Sequence, residues 1–453
     1  MTPGEKSFAA LGAYVLLWPD KVYYNAQEDT FGTLEAKWTG SGVTFQNGTL
    51  YEQETMANTI QVEGMNWADH FRKGDAVTIS GCTTHPENNK SIIIRDIQGD
   101  KLAFYEYSFV LEGEKGDQAY TEEGEVVLSR TLPDLDFVCE NENRVWGCKG
   151  NTIYASKLGD PFNWNVFDGL ATDSYAVDTG SAGAFTGCIS YLGYPIFFKE
   201  EHIYKVYGSM PSNFQIMGTS TLGVMEGCQG SLAVAGEVLF YLSRVGVMAY
   251  SGGVPQCIGA PLGPEKWYQG AAGTDGLRYF LSARTQAGAW SLLVYDTRTK
   301  LWYREDDTQA THFAFSGGNL HLLNQSGEIW LVGDVTNPPE EAQKEEKVAW
   351  VAEFADFTDG SPDKKGIARL HIRLEVEEGG QMQVWVQVDS DGTWRPMGQP
   401  IGPTPKRSFQ LPMVIRRGDH YRLKLTGTGG CKVYSITRER YSGSAYNATP
   451  GRT

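Results

Sequence analysis

Residues 137–167 read FVCENENRVWGCKGNTIYASKLGDPFNWNVF, and the reading of this stretch decides the fold. Phe137-Val138-Cys139, Arg144-Val145-Trp146-Gly147 and Thr152-Ile153-Tyr154-Ala155-Ser156 are three short apolar runs. Asn141 to Asn143 and Lys149-Gly150-Asn151 supply turn chemistry between them, so the stretch predicts a tight β-meander. Gly159-Asp160-Pro161-Phe162-Asn163-Trp164 then breaks the pattern, because Pro161 fixes its own φ and pushes Asp160 out of the helical region.

The same order recurs downstream. A second unit spans 187–208, a third 231–253, a fourth 278–303 and a fifth 312–334. Each runs apolar strand, short polar turn, strongly apolar strand, turn, then a strand with an aromatic: Tyr154, Tyr204, Tyr250, Tyr303 and Trp330. Those aromatics lie 50, 46, 53 and 27 residues apart by subtraction of their numbers, around the roughly 40–50 residues of a propeller blade. With the hairpin of Ala13 to Asn25 around Pro19-Asp20, the units predict a β-propeller of about five to seven blades, one of them completed jointly by the chain ends. The aromatics are expected to pack between blades, since only a neighbouring blade can cover each apolar sheet face.

The rest of the chain predicts two further β-domains, so the expected fold is all-β: a β-propeller with an inserted small β-barrel or sandwich and a C-terminal β-sandwich. The first propeller hairpin takes residues 1–31. Residues 32–130 form the insertion, with about five strands and a Gly99-Asp100 hairpin turn between Ser91-Ile92-Ile93-Ile94 and Lys101-Leu102-Ala103-Phe104-Tyr105. The remaining blades take 131–336, a charged linker 337–347, a sandwich of about seven strands 348–441, and a flexible tail 442–453.

The 453 residues carry a formal charge of -16 and 12% aromatics, and are long enough for about three domains. Such a charge argues against a phosphate-gripping protein, though an acidic wall lets DNA pass without sticking. The seven cysteines are scattered, odd in number and never spaced as CxxC, which predicts free thiols in a reducing compartment. Met1 to Ala10 show no signal-peptide pattern, and no apolar run reaches membrane-spanning length. Asn47-Gly48-Thr49 is read as a turn rather than a glycosylation site.

Candidate chemistry is sparse. Asp389-Ser390-Asp391-Gly392-Thr393-Trp394 could begin a calcium loop but lacks the remaining ligands, so a hairpin turn is expected. Asp134 and Asp136 could pair on one strand face, as a glycosidase requires of two carboxylates; a solvated turn is the simpler expectation. The histidines (His70, His85, His202, His312, His321, His371, His420) form neither HxH nor HExxH. Glu200-Glu201-His202 reads as a polar turn, and Gly180, Gly183 and Gly187 lack the basic residue of a phosphate cradle. The expectation is no catalytic residue, cofactor or metal, hence no enzyme.

The run Asn151 to Trp164 resembles the strand and Gly-Asp-Pro-x-Asn-aromatic turn of bacteriophage tail propellers, and Ile196 to Gly208 is similar to the strand pair that follows it there. Over about Asp134 to Asp334 the chain resembles the tail nozzle and packaged-DNA stabilisation proteins of tailed phages. This resemblance implies a virion protein of the tail, assembled in the bacterial cytoplasm as a homo-oligomeric, commonly hexameric, ring. It would close the DNA channel, pass DNA without sequence-specific binding, and attach fibres or receptor-binding proteins. The alternative is a carbohydrate-binding or carbohydrate-cleaving propeller, with the 12 Trp and 23 Tyr supplying sugar platforms.

Overall fold

The computed structural model describes residues 2–50, 55–113, 118–333, 347–358, 360, 364–412 and 417–442. The expected linker, apart from Lys347, and the expected tail beyond Ser442 lie outside the described residues. Two compact units divide the chain, Met1–Thr336 and Asn337–Thr453. Among the described residues the helical pieces are three-residue 3-10 turns, and everything else regular is strand.

The propeller is a succession of six antiparallel meanders in chain order. The first blade uses Ser7–Leu11, Tyr14–Trp18, Val22–Asn25 and Thr30–Thr33, and the second Phe137–Asn141, Arg144–Lys149, Thr152–Ala155 and Tyr175–Asp178. The third blade begins at Gly187–Tyr191, the fourth at Ala233–Ala235, the fifth at Trp267–Thr274 and the three-stranded sixth at Ala310–Ser316.

Local chemistry sets the repeat. In four blades a two-residue turn joins the first two strands: Glu142-Asn143, Leu192-Gly193, Gly236-Glu237 and Gly317-Gly318, with φ between 50° and 82°. Turns with both residues left-handed match the right-handed strand twist and fix the hairpin register. Burial then holds the blades together. Phe197, Phe198, Tyr241, Tyr279 and Phe280 are fully buried between sheets, and each such side chain contributes roughly 1.5–3 kcal/mol relative to exposure.

Several expectations need correction. Each of the second to fifth blades has four strands rather than three. In the fifth the missing one is the first, Trp267–Thr274, so Tyr303 lies on a fourth strand and Tyr295 on the third. This explains the irregular aromatic interval, since counting from Tyr250 through Tyr295 to Trp330 gives 45 and 35. The chain ends do not share a blade among the described residues: the first sheet is built wholly from Ser7 to Thr33.

Buried apolar clusters join the first blade to the second, the second to the third, the third through the fifth, and the fifth to the sixth. None joins the sixth to the first among the described residues. The outer face of the first blade carries Phe8, Leu17 and Val22 in one cross-strand row and Ala10, Val15, Tyr24 and Phe31 in the next. Phe8 is 55% exposed and Phe31 80%. On the sixth blade the corresponding face carries His312, Leu323 and Ile329, then Ala314, His321 and Leu331.

The insertion is a two-sheet sandwich, not a closed barrel. Among the described residues one sheet holds five strands and the other four, nine where about five were expected. Gly99-Asp100 does turn a hairpin, but its first arm is Asp96–Gln98, because the chain changes sheet after Ser91–Ile93. Val43, Phe45, Ile60, Leu102 and Phe104 from one sheet meet Val77, Ile79, Val126 and Leu128 from the other. Asn47 sits within the strand Val43–Leu50 rather than in a turn, and its side-chain oxygen accepts from Asn58 Nδ2 at 2.6 Å.

Among the described residues the second unit is a sandwich of seven strands in sheets of four and three. Its core gathers Leu370, Ile372, Leu374, Met382, Val384, Val386, Leu423 and Leu425, the inward set of alternating strands. All seven cysteines are free, and Cys82, Cys139, Cys148, Cys188 and Cys228 are buried as small apolar residues.

One blade turn carries a pH prediction. Asp275 accepts Leu277 N at 3.0 Å, Arg278 N at 2.7 Å and Arg278 Nε at 2.6 Å. Burial pushes its carboxyl up, but these donors and the Arg278 charge outweigh burial and hold it below the usual range. A carboxyl depressed on folding contributes stability above its unfolded pKa of about 3.9, lost as pH falls through the folded value. Asp275→Asn is therefore expected to flatten part of the acid-side fall in urea midpoint. Superimposable wild-type and variant profiles below about pH 4 would contradict this assignment.

Candidate functional site

The Gly-Asp-Pro-Phe-Asn-Trp turn is a three-way joint. Gly159, at φ +70°, lets the chain leave the third strand of the second blade. Asp160 Oδ1 then accepts Phe162 N at 3.0 Å, Asp160 Oδ2 accepts Asn163 Nδ2 at 2.6 Å, and Trp164 Nε1 donates to Pro161 O at 2.9 Å. With its polar groups satisfied locally, the turn presents three buried side chains outward. Phe162 packs edge-on against Tyr14 at 5.2 Å and Tyr23 at 5.3 Å, and Trp164 against Trp18 at 5.9 Å, all on the first blade.

Asn163 reaches the insertion instead. Its Oδ1 accepts Ala76 N at 2.9 Å and its Nδ2 donates to Asp75 Oδ1 at 3.2 Å. Asp75 is 1% exposed and forms a tight ion pair with Arg130, which is 5% exposed and also donates to Leu34 O at 3.0 Å. Burying a charge is tolerable only when it is paired and hydrogen-bonded; Asp75 meets both conditions, and Arg130 meets them through its two terminal nitrogens while its Nε has no acceptor. A polar cleft of about 390 Å³ opens beside this joint, between the first blade and the insertion.

Behind the turn lies a second buried cation. Arg144 is 2% exposed and donates to Ser156 O at 2.8 Å, Asp173 O at 2.5 Å and Ala171 O at 2.8 Å. It thereby ties both ends of the 156–173 excursion to the second strand of its blade.

The sequence candidates fall elsewhere. Asp134 pairs with Lys21 at 2.6 Å and Asp136 with Lys149 at 2.5 Å, so each carboxylate is engaged by its own lysine. The hydrogen bond from Lys21 holds the Asp134 carboxyl below its ordinary range. Glu200 and Glu201 form the turn between Tyr194–Lys199 and His202–Tyr207, and Glu201 pairs with Arg244 at 2.7 Å. Gly187 leaves room for the Gln229 side chain, whose Oε1 would lie 2.2 Å from an added Cβ and accepts Cys188 N at 3.1 Å. Gly183 adopts φ +84°, and Gly180 faces open space. His85 meets Glu112 at 3.0 Å, His202 meets Ser220 at 3.1 Å and His371 meets Glu439 at 3.2 Å, while His70 lies beside Phe71.

Asp389 and Ser390, at φ 52° and 48°, do form a turn after the strand Gln381–Val388. Asp391 accepts Thr393 N at 3.0 Å and pairs with Arg395 at 2.7 Å, and Trp394 stands beside Lys424 at 4.2 Å. The pairing brings in Asp419 and His420, which no local pattern linked to this turn. Donor atoms of Asp389, Asp419 and His420 lie within 4.8 Å of one another. His420 Nε2 is already bonded to Ser390 Oγ at 2.7 Å and its Nδ1 to Asp419, and Asp389 Oδ1 accepts Asp419 N at 2.8 Å. The cluster thus closes the turn through its own contacts.

The second unit contains a cleft of about 710 Å³ between its sheets, lined by Trp350, Phe354, Leu425, Val433 and Tyr434 among others. Trp350 Nε1 donates to Gly429 O at 2.9 Å, and Tyr434 OH to Glu375 at 2.9 Å, which orient both rings. None of these residues stood out in sequence, because an aromatic on a cleft wall and one in a core share the same alternation.

No family model and no curated protein matches the chain. Solved structures of similar architecture include the exo-β-1,3-galactanase of Phanerochaete chrysosporium, at 10% identity and TM-score 0.24, covering 66% of this chain and 95% of that one. BamB from Moraxella catarrhalis matches at 8% identity and TM-score 0.27 over 67% and 100% of the two chains. A family 43 arabinoxylan arabinofuranohydrolase from Bacillus subtilis matches at 9% and 0.18 over 66% and 96%. Glycoside hydrolases thus stand among these neighbours, which corrects the expectation that the protein is not an enzyme: its architecture gives no ground for that exclusion. At these TM-scores the likeness assigns no activity or residue role to this chain. Among the described residues no helix is long and apolar enough to cross a membrane.

Proposed function

We propose that the protein is a virion component of a phage tail, a ring-forming nozzle or adapter around the DNA channel that attaches fibres or receptor-binding proteins. The observation that carries this reading is the pair of unlike apolar faces on the first and sixth blades. Phe8, Val15 and Phe31 on one and Ile329 on the other are exposed large apolar side chains, at 55%, 40%, 80% and 71%. Two different faces on one molecule suit a heterologous, head-to-tail contact, and such contacts generate rings when the rotation closes. The resemblance of the 151–164 turn to tail propellers and the charge of -16 agree with a channel that DNA traverses without adhering.

Light scattering at high protein concentration is expected to give a multiple of the 50.0 kDa chain mass, and Phe31→Asp with Ile329→Asp to reduce it to the monomer. A wild-type monomer at every concentration, absent also from phage particles, would overturn the reading.

One observation favours a second reading. The aromatic cleft of the C-terminal sandwich, with Trp350 and Tyr434 held by hydrogen bonds, suits a sugar ring stacking on an apolar face. On this reading the protein is a carbohydrate-binding tail protein. A glycan array should then show binding that Trp350→Ala removes, and a blank array would dismiss it.

A further inference from the structure

In a chain of net charge -16, the cleft beside the three-way joint is a local exception. Its wall contains Lys37, His70, Arg72 and Arg130 against two carboxylates, Glu35 and Asp69. Glu35 is already satisfied by Lys21 Nζ at 2.7 Å and Leu132 N at 3.0 Å, and the exposed Asp69 accepts Asn66 Nδ2 at 3.0 Å. Lys21 is shared between Glu35 and Asp134, and Arg130 is paired with Asp75 outside the lining, so the positive balance of the cleft rests on Lys37 and Arg72.

Two of these cations are held in place. The Arg72 guanidinium lies 4.2 Å above the Phe162 ring and donates to Tyr23 OH at 3.5 Å. It therefore rests on the same turn that joins blade and insertion. Arg130 is 95% buried, taking the complement of its 5% exposure, and its Nε is a buried donor with no acceptor. An unpaired buried donor is costly, and the natural remedy is an acceptor that the protein itself does not supply.

We propose that this cleft binds a small oxyanion, a phosphate or a carboxylate, between Arg72 and Lys37, with Arg130 behind them. The guanidinium fork suits two oxygens of one ligand, and a volume of about 390 Å³ accommodates a free anion or the head of a larger ligand. The site does not depend on the tail reading, and its test does not involve assembly.

Calorimetric titration of the full chain with inorganic phosphate, and separately with citrate, tests it. Saturable binding of at least one is expected, and which one binds identifies the ligand chemistry. Arg72→Gln should weaken it roughly tenfold or more, the scale of a lost charge-assisted hydrogen bond. Lys73→Gln, the neighbouring surface cation that pairs with Asp96 at 3.6 Å outside the cleft, should leave it unchanged. An unshifted thermal midpoint for Arg72→Gln separates lost binding from lost folding; should it shift, Lys37→Gln is read instead, with the same loss expected. Absence of saturation with both anions, or equal weakening by Lys73→Gln, would overturn the proposal.

Discussion

Asp75→Ala will lower the unfolding free energy by about 3–5 kcal/mol, the cost of leaving a buried cation without its partner. The carboxylate does three jobs at once. It pairs with Arg130, accepts Arg72 N at 2.9 Å, and accepts Asn163 Nδ2 at 3.2 Å. Removing it strands a guanidinium whose surroundings are the Phe162 ring and the Leu34 carbonyl. Because Asn163 belongs to the second blade and Asp75 to the insertion, the loss loosens the joint between them as well as the insertion itself. Urea denaturation measures the total, and limited proteolysis near Leu34 and Thr131 measures the joint. In a double-mutant cycle, Arg130→Met is expected to be damaging alone and to recover much of its cost when combined with Asp75→Leu, since two apolar groups leave no orphaned charge. A change below about 1 kcal/mol for Asp75→Ala would mean that water reaches this pair and that the joint is not dry.

Arg144→Met should cost about 3 kcal/mol or more. The substitution keeps most of the side-chain volume and removes every donor, so the carbonyls of Ser156, Ala171 and Asp173 lose their shared partner. Each buried acceptor left unsatisfied costs about 1–3 kcal/mol, less whatever water the excursion admits. Arg144→Lys will rescue little, because one ammonium cannot reproduce the planar fork that spans three carbonyls. Chemical denaturation gives the magnitude, and hydrogen exchange locates it: amides between Ser156 and Ser174 should exchange faster while those of the fourth and fifth blades stay protected. Uniform loss of protection across all blades would contradict a local pin.

How much of this was legible in the sequence depends on range. The meanders were readable because each hairpin writes its own turn, as in Glu142-Asn143 and Gly317-Gly318. Fourth strands were not: Tyr175–Asp178 follows a long excursion, and Gln256–Cys257 is two residues long, so neither carries an alternation to count. Trp267–Thr274 was missed because it contains Gly270 and Gly273, where neighbouring side chains occupy the space a Cβ would need. Those glycines imitate a loop when their cause is close packing.

The Gly-Asp-Pro-Phe-Asn-Trp turn was visible as a motif, but not its purpose. Its partners Asp75 and Arg130 lie 88 and 33 residues before Asn163, by subtraction of the numbers, and only the fold brings them together. The same holds for Asp419 and His420 beside Asp389, and for the cleft that Arg72 and Lys37 both line. Local patterns specify hairpins, whereas polar networks between elements are written in single residues with no spacing rule.

The most direct test of the account is a cryo-electron microscopy map of the assembled protein. We expect a closed ring in which the Phe8, Val15 and Phe31 face of one copy is buried against the Ile329 face of the next. A monomer in which these two faces close on each other within one chain would contradict it and move the weight to the aromatic cleft of the C-terminal sandwich.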